Sequence, residues 1–190
     1  MSHKFLFNAS FHLLLNRIDQ EFSNKERQKG CHYCGGRLDH SDYPRSPFGI
    51  LPQFRKSYDE RLSFCCRKCR RRHTPPSVRF FGRRWFPAPL LMLISALRLG
   101  ISERRLAQVK RHLGIVVSES TWKRWRRWWR EQFMQSTFWK QARGLLSSTV
   151  DASARMPRCV LKLFRGKIEK KICQLLKFLA PLTAGALRAV

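Results

Sequence analysis

Seven cysteines carry the clearest chemical signal in this 190-residue chain. Four of them form two CxxC pairs, Cys31 with Cys34 and Cys66 with Cys69. Each pair places two thiolates on one tight turn, and two pairs together supply the four sulfur ligands of a tetrahedral zinc site. An odd number of cysteines with this spacing favours metal binding in a reducing compartment over a disulfide framework.

The metal predicted by this spacing is a structural Zn²⁺ ion. Four thiolates close the coordination sphere, so no position remains for a catalytic water. Metal binding would also join two hairpins that are too small to fold around an apolar core of their own. The predicted ligands are Cys31, Cys34, Cys66 and Cys69, with Cys65 as an alternative to Cys66 and His73 as an alternative ligand in a CxxCxxxH arrangement.

A tryptophan-rich segment supplies the second candidate site. Trp122, Trp125, Trp129 and Phe133 recur at the spacing of a single helical face, and Ser118 precedes them where a helix N-cap is expected. This face is predicted to enter the core and to direct a neighbouring basic face outward, with a merely solvated basic face as the alternative. The residues predicted to contact DNA from this helix are Thr121, Lys123, Arg124, Arg126, Arg127 and Arg130.

Arginines interleave with aromatic residues between positions 70 and 86. Such a strip suits contacts with backbone phosphates, each of which adds to a salt-dependent affinity, and an exposed basic connector is the alternative. Val78–Phe81 is predicted to form the last strand of the metal-binding unit. The arginines predicted to contact DNA from this strip are Arg70, Arg71, Arg72, Arg79, Arg83 and Arg84.

The overall charge narrows the class of partner. The formal net charge is +27, and self-repulsion of this size favours a polyanion as partner. Nucleic acid is predicted rather than a membrane surface, because the cations are spread through the chain among aromatic residues and cysteines. No apolar run approaches the roughly 18 residues that span a bilayer. Asn8 and His12 interrupt the apolar N-terminus, so we do not expect a signal peptide. We therefore expect a cytoplasmic location.

A mainly helical α+β fold is predicted to position these sites. The hydrophobic content of 43% is enough for a packed core. The predicted segments are an N-terminal helix in 1–30, a small β zinc ribbon with the basic strand in 31–86, a three-helix DNA-binding unit in 87–140, and a linker with a C-terminal amphipathic helix in 141–190.

Within these segments the sequence predicts several helix details. Ser2 or Ser10 caps the first helix, and Pro87 opens the first helix of the DNA-binding unit. Ser102–Leu113 is the second helix of that unit, followed by a turn at Gly114. The C-terminal helix is expected to pack on the N-terminal helix, with a dimerisation helix, and hence a homodimer, as the alternative. The predicted apolar stripe of the first helix is Phe7, Phe11, Leu14, Leu15, Ile18 and Phe22.

The motif from Leu113 to Trp125, LG followed by S-x-x-T-W-x-x-W, resembles a pattern of bacterial helix-turn-helix segments, including those of transposases. It departs from that pattern by a turn about two residues longer. The region from Cys31 to Phe138, with TPPSVRFFGRRW as its most distinctive part, resembles small zinc-ribbon and helix-turn-helix proteins of bacterial insertion sequences. This resemblance implies sequence-directed binding of double-stranded DNA in the bacterial nucleoid, with a transposase catalytic subunit as a further partner.

Catalysis by the chain itself is not predicted. A three-carboxylate transposase needs clustered acidic residues to hold two metal ions, but the 12 acidic residues here are scattered, with only Asp151 and Glu169 beyond the tryptophan-rich helix. The tyrosines, Tyr33, Tyr43 and Tyr58, lie in or near the ribbon and no metal-binding histidine pair accompanies them. A DNA-binding protein without a catalytic centre is therefore favoured. The DNA-binding half of a split transposase and an RNA-binding zinc ribbon are the alternatives.

Overall fold

A computed structural model describes residues 4–81, 87–95, 103, 107, 110, 111, 116, 118–145 and 156–184 of the chain. The fold is mixed α+β and mainly helical, with small antiparallel sheets, which confirms the predicted fold class at this level. The α-helices are α1 Ala9–Lys29, α2 Ala88–Ser95, α3 Glu119–Arg127, α4 Thr137–Ala142, α5 Arg158–Leu163 and α6 Ile168–Leu179. Short 3-10 helices occupy Lys4–Phe7, Pro52–Ser57, Arg143–Leu145 and Ala180–Thr183, and a π-helical turn, Trp128–Phe133, continues α3.

Two small antiparallel sheets lie between α1 and α2. The strands are β1 Leu38–His40, β2 Tyr43–Pro44, β3 Glu60–Arg61, β4 Phe64–Cys66 and β5 Arg72–His73. One sheet has the order β1-β4-β5, and β2 pairs with β3 in the other. The register places Leu38 opposite Cys66 and Phe64 opposite His73, so the two CxxC turns meet at the same end of the first sheet.

The predicted strand at Val78–Phe81 does not form. The last strand of the sheet is β5, and Phe80 makes only an isolated bridge with Pro87. The physical reason is that the backbone N–H of Val78 donates to Asp19 Oδ1 at 2.7 Å. A strand ladder needs that donor, and here a buried carboxylate on α1 takes it.

Helix α1 buries most of its predicted apolar stripe, because Phe11, Leu15 and Ile18 are buried and Phe22 packs against the main core. Phe7, which precedes the helix, and Leu14 are 43% and 45% exposed, whereas the polar residues His12 and Asp19 are buried. The cap is neither serine predicted: Asn8 Oδ1 accepts from the backbone N–H of Ser10 at 3.0 Å, and Ser2 lies outside the described residues. The buried polar residues lie beside the apolar stripe and widen the buried face of this helix.

His12 is one of the polar residues that fix α1. Its Nδ1 lies 2.8 Å from the Tyr58 hydroxyl and its Nε2 lies 2.9 Å from the carbonyl oxygen of Leu6. The ring also stacks on Phe54, with centroids 4.1 Å apart. Both ring nitrogens are therefore satisfied, and burial lowers the pKa of His12 below its ordinary value.

The main core draws on all four predicted segments. Phe5, Val78, Trp129 and Leu175 all belong to it, so the proposed boundaries do not separate independent cores. The last described residues are also held by a hydrogen bond, because Thr183 Oγ1 accepts from the backbone N–H of Ser77 at 2.7 Å. A second, much smaller core of buried residues surrounds the cysteine cluster: Cys31, Leu38, Phe64 and Cys66.

Helix α6 packs mainly against α2 and α5, rather than on α1 as predicted. Most of its apolar residues are buried within the chain, and the alternative of a homodimer stays a prediction. The buried residues of α6 are Ile172, Cys173, Leu175, Leu176 and Leu179.

Part of the predicted DNA-binding unit lies outside the described residues. α2 begins at Ala88, directly after Pro87, as the prolines predict. Of the predicted second helix only Glu103, Ala107, Lys110 and Arg111 are described, and each is helical and exposed. The turn at Gly114 and most of the linker before Met156 are not among the described residues.

Candidate metal centre and basic surface

The four cysteines of the two CxxC pairs form one cluster. Their sulfur atoms all lie within 4.8 Å of one another, with 3.5 Å between the sulfurs of Cys31 and Cys69 and 3.5 Å between those of Cys34 and Cys66. Cys31 and Cys66 are buried, while Cys34 and Cys69 are half-buried. This arrangement can hold one metal ion, and it brings together all four predicted ligands.

The first CxxC turn depends on its two glycines. The backbone N–H of Gly35 donates to the carbonyl of Cys31 at 2.7 Å, and that of Cys31 donates to the carbonyl of Gly36 at 2.9 Å. Gly35 adopts a φ of 67°, which glycine tolerates better than other residues. A Cβ atom on Gly36 would lie only 3.0 Å from the sulfur of Cys66. The absent side chain therefore lets the backbone approach the thiols.

The surroundings of Cys66 and Cys69 shift the pKa values of these two thiols in opposite directions. The backbone N–H of Cys69 donates to the sulfur of Cys66 at 3.4 Å, and this contact is the largest cause of a pKa of Cys66 lowered to about 6. At Cys69 the backbone N–H of Arg71 lowers the pKa, but burial and the neighbouring thiols outweigh it and raise the pKa. Several thiolates can share this space only if a cation neutralises them.

The structure also separates the alternative ligands from the cluster. Side chains alternate along β4, so Cys66 faces the other three cysteines and Cys65 does not. Cys65 instead donates to the carbonyl oxygen of Arg70 at 3.4 Å. His73 does not join the cysteines but lies near Glu26 and His32. The CxxCxxxH alternative is therefore wrong.

The tryptophan-rich helix has the predicted apolar face. Trp122, Trp125, Trp129 and Phe133 are all at most 3% exposed. Ser118 is the N-cap, and its Oγ accepts from the backbone N–H of Thr121 at 3.2 Å. The cap and the buried stripe together fix which side of the helix meets solvent.

The opposite side of this helix is basic and exposed. Lys123, Arg124, Arg127 and Arg130 are exposed and Arg126 is half-buried. Two of the cations have acidic neighbours one turn away: Lys123 lies 2.9 Å from Glu119, and Arg127 lies 3.8 Å from Glu131. Such exposed pairs are weak and compete poorly with a phosphate. We call the surface formed by residues 123, 124, 126, 127 and 130 the basic face.

The π-helical turn modifies the end of this helix. It contains one extra residue per turn compared with an α-helix, and both Trp128 and Trp129 pack inward within it. Trp128 meets Phe81 edge to face at 5.2 Å. Phe81 belongs to the segment between positions 70 and 86 in which arginines interleave with aromatic residues, so this segment and the tryptophan-rich helix contact each other through aromatic rings.

The arginines of that strip have different environments. Arg79 is 4% exposed and pairs with Asp19, with 2.8 Å between Nε and Oδ2, so its predicted DNA contact is wrong. Arg71 stacks over the Tyr33 ring at 4.1 Å, and Arg72 donates to the carbonyl of Ser41 at 2.7 Å. Arg70, Arg71 and Arg72 remain exposed, while Arg83 and Arg84 lie outside the described residues.

Comparisons with protein-family models, curated proteins and solved structures find no match to this chain. Among the described residues, no helix has the length and apolar character needed to cross a membrane.

Glu26 and His32 belong to a second group of potential metal ligands that the sequence analysis missed. Together with His73 they bring a carboxylate oxygen and two ring nitrogens within 4.8 Å of one another. Burial, followed by the nearby His32, lowers the pKa of His73, although Glu26 opposes this. The position of His32 inside the first CxxC pair is a sequence signal for proximity to a metal centre. Nothing local in the sequence points to Glu26, which lies on α1.

Proposed function

We propose that this chain is a zinc-stabilised protein that binds double-stranded DNA through the basic face. The observation that carries the proposal is the division of one helix into two sides. Trp122, Trp125 and Trp129 are buried in the main core, and four of the five cations of the basic face are exposed on the other side. A chain of net charge +27 with such a face suits a polyanion whose phosphates are regularly spaced.

Zinc is the metal that best suits the cysteine cluster. Four thiolates in tetrahedral reach are the ligand set of structural zinc sites. The small core around the cluster contains few apolar residues, so metal binding would supply much of the stability of this part of the fold. A site closed by four thiolates has a structural rather than a catalytic role.

A mobile-element role is the finer part of the proposal. The resemblance of residues 31–138 to proteins of bacterial insertion sequences supports sequence-directed binding at element ends or at a promoter. In this role α3 follows a turn and enters the major groove, as the second helix of a helix-turn-helix does. Transposition chemistry would belong to a separate catalytic chain, and the protein would reside on the nucleoid.

A fluorescence-anisotropy titration tests the proposal. The zinc-loaded protein is titrated against duplex DNA from the flanks of its own gene, scrambled duplex of the same length and hairpin RNA, at several salt concentrations. A preference of about 10³ or more for the flanking duplex, with a steep salt dependence, is expected of specific recognition. Equal affinity for both duplexes would overturn the mobile-element role, and a preference for the hairpin would overturn DNA as the target.

A matched pair of double variants assigns the binding surface. Arg127→Ala with Arg130→Ala removes two charges from the basic face, whereas Arg55→Ala with Lys56→Ala removes two exposed charges elsewhere. Each lost phosphate contact lowers the slope of log affinity against log salt by about 0.9. The first variant is expected to lower the slope by nearly two such increments and the second to leave it unchanged. The opposite ranking would exclude the basic face.

A further inference from the structure

Glu26, His32 and His73 converge beside the cysteine cluster without belonging to it. One carboxylate oxygen and one ring nitrogen from each histidine lie within 4.8 Å of one another. The three side chains come from different elements: the C-terminal end of α1, the first CxxC turn and β5. The four-cysteine centre uses none of these side chains, so its chemistry does not explain their convergence.

His73 is the residue whose environment most requires a partner. Its side chain is 0% exposed, yet neither ring nitrogen has a hydrogen-bond partner among the described residues. The carboxylate oxygen of Glu26 is 3.9 Å from Nδ1, which is too far for a hydrogen bond. A buried polar group without a partner carries a desolvation cost that native structures rarely leave uncompensated. A ligand between the three side chains would remove this cost.

The neighbouring rings are oriented to enclose such a ligand. The rings of His32 and His73 are nearly perpendicular, at 74°, with centroids 4.4 Å apart. The Tyr33 ring lies 5.8 Å from that of His73, and the Arg71 guanidinium lies over the Tyr33 ring. Glu26 approaches from α1 with its side chain 22% exposed, so one side of the cluster is open to solvent.

We infer that Glu26, His32 and His73 form a second metal site, which takes a divalent cation of the Zn²⁺ class and leaves its fourth position to water. Two imidazoles and one carboxylate are a ligand set that zinc accepts when one coordination position stays open. Ligand atoms around tetrahedral zinc are roughly 3.3 Å apart, so the most widely separated donors must draw together by up to about 1.5 Å. His32 is exposed and Glu26 partly exposed, which leaves both side chains free to make this adjustment.

This site differs from the cysteine centre in strength and in effect. It offers three protein ligands and one negative charge, against four ligands and up to four charges at the thiolates, so it binds the cation more weakly. A bound ion would connect the end of α1 directly to the first CxxC turn and to β5. Occupancy of the second site would therefore fasten the main helical core to the small cysteine-containing core.

Metal stoichiometry is the first test, and it requires no nucleic acid. Metal-free reduced protein is titrated with Zn²⁺ and the bound ions are counted by native mass spectrometry. Two ions per chain are expected, whereas His32→Gln and Glu26→Gln should each bind one. His40→Gln is the matched control, because His40 is also an exposed histidine near the cysteine-bearing sheet, and it should bind two. A single ion in the unmodified protein, or two in both His32→Gln and Glu26→Gln, would overturn the second site.

Cobalt substitution distinguishes the two centres spectroscopically. The first equivalent of Co²⁺ is expected to produce intense thiolate-to-metal charge-transfer absorption. The second equivalent should add only weak visible bands, and His32→Gln should abolish this second phase without changing the first. If His32→Gln instead diminishes the charge-transfer absorption, then His32 belongs to the cysteine centre and the second site is wrong. His32 is exposed, so this substitution tests coordination with little risk of unfolding the chain.

Discussion

Asp19 and Arg79 form a buried ion pair, with 2.8 Å between Oδ2 and Nε. The same carboxylate accepts from the Ser77 hydroxyl at 2.6 Å and from the backbone N–H of Val78 at 2.7 Å. Asp19 lies on α1, and its three donors all lie in the segment that follows β5. The pair therefore fixes that segment on the main core, and an arginine expected to bind phosphate has a structural role instead.

Removing Arg79 should destabilise the protein without weakening its interaction with DNA. Arg79→Met leaves the Asp19 carboxylate buried without its counter-ion, which typically costs about 3–5 kcal/mol of unfolding free energy. Urea unfolding measures this loss, and anisotropy under native conditions measures the salt dependence of DNA binding, which should stay unchanged. The matched control is Arg70→Met, because Arg70 is exposed, and a change within about 0.5 kcal/mol is expected there. Equal costs for the two variants would contradict the buried pair.

Adding a methyl group at Gly36 should weaken metal binding. The new Cβ would lie 3.0 Å from the sulfur of Cys66 and 3.1 Å from Cβ of Lys68, so the thiol must move away from its partners. Gly144→Ala is the control, because no atom lies within 4 Å of a Cβ built there. Competition with a chromophoric chelator should show about a tenfold or larger loss of Zn²⁺ affinity for Gly36→Ala alone. Equal affinities in the two variants would contradict the close approach.

Removal of the metal should unfold the small core and spare the large one. The buried residues around the cluster are few, and half of them are the cysteines Cys31 and Cys66, so this region has little apolar support without the ion. Amide hydrogen exchange after chelation should rise in residues 31–73 and stay slow in α6. Cys34→Ser should reproduce this pattern without chelator. Uniform exchange across both regions would show that the two cores unfold together.

The Ser118 cap should contribute to both stability and DNA affinity. Ser118→Ala removes the acceptor for the Thr121 N–H and is expected to cost about 1 kcal/mol of unfolding free energy. A frayed first turn would also displace Thr121 and Lys123, so weaker duplex binding is expected in the anisotropy titration. Ser120→Ala is the matched control, because the Ser120 hydroxyl meets that of Ser118 but caps no backbone group in the described structure. A larger effect from Ser120→Ala would argue against the cap.

His12 should make the protein less stable as the pH falls. Burial lowers the folded-state pKa of His12 below its ordinary value of 6.5, so the unfolded chain binds the proton more readily. Its contribution to stability is therefore present above about pH 6.5 and is lost as the pH falls from there through the lowered folded pKa. Urea unfolding of the metal-loaded protein between pH 7.5 and about 5 should give a shallower dependence for His12→Gln than for the unmodified chain. An unchanged dependence would show that His12 titrates alike in both states.

Local patterns predicted the parts of the structure whose signal lies within a few residues. The tryptophan stripe follows from helical spacing, the Ser118 cap from its position before that stripe, and the cysteine set from two CxxC pairs. The choice between Cys65 and Cys66 needed the strand register, because alternation along β4 decides which sulfur faces the cluster. That register depends on pairing with β1, which no local pattern specifies.

The features that sequence patterns missed depend on distant partners. The buried face of α1 includes Asp19 and His12, whose partners Arg79 and Tyr58 are remote in the sequence. A hydrophobicity pattern assigns such polar residues to the surface, since it cannot represent a buried carboxylate with three donors. For the same reason it assigned Arg79 to solvent, because a charged residue in a basic strip is ordinarily exposed.

The two cores also imply an order of events during synthesis on the ribosome. The cysteine cluster is complete once Cys69 and the strands before it have emerged, so a metal ion can be captured while translation continues. The main core includes residues of α6, and Thr183 must reach Ser77, so this core stays incomplete until the last part of the described chain has emerged. Nascent chains fold from the N-terminal side as they emerge. The metal-bound unit is therefore expected to form first, and a chain stalled before α6 would leave apolar residues of the unfinished main core exposed to chaperones.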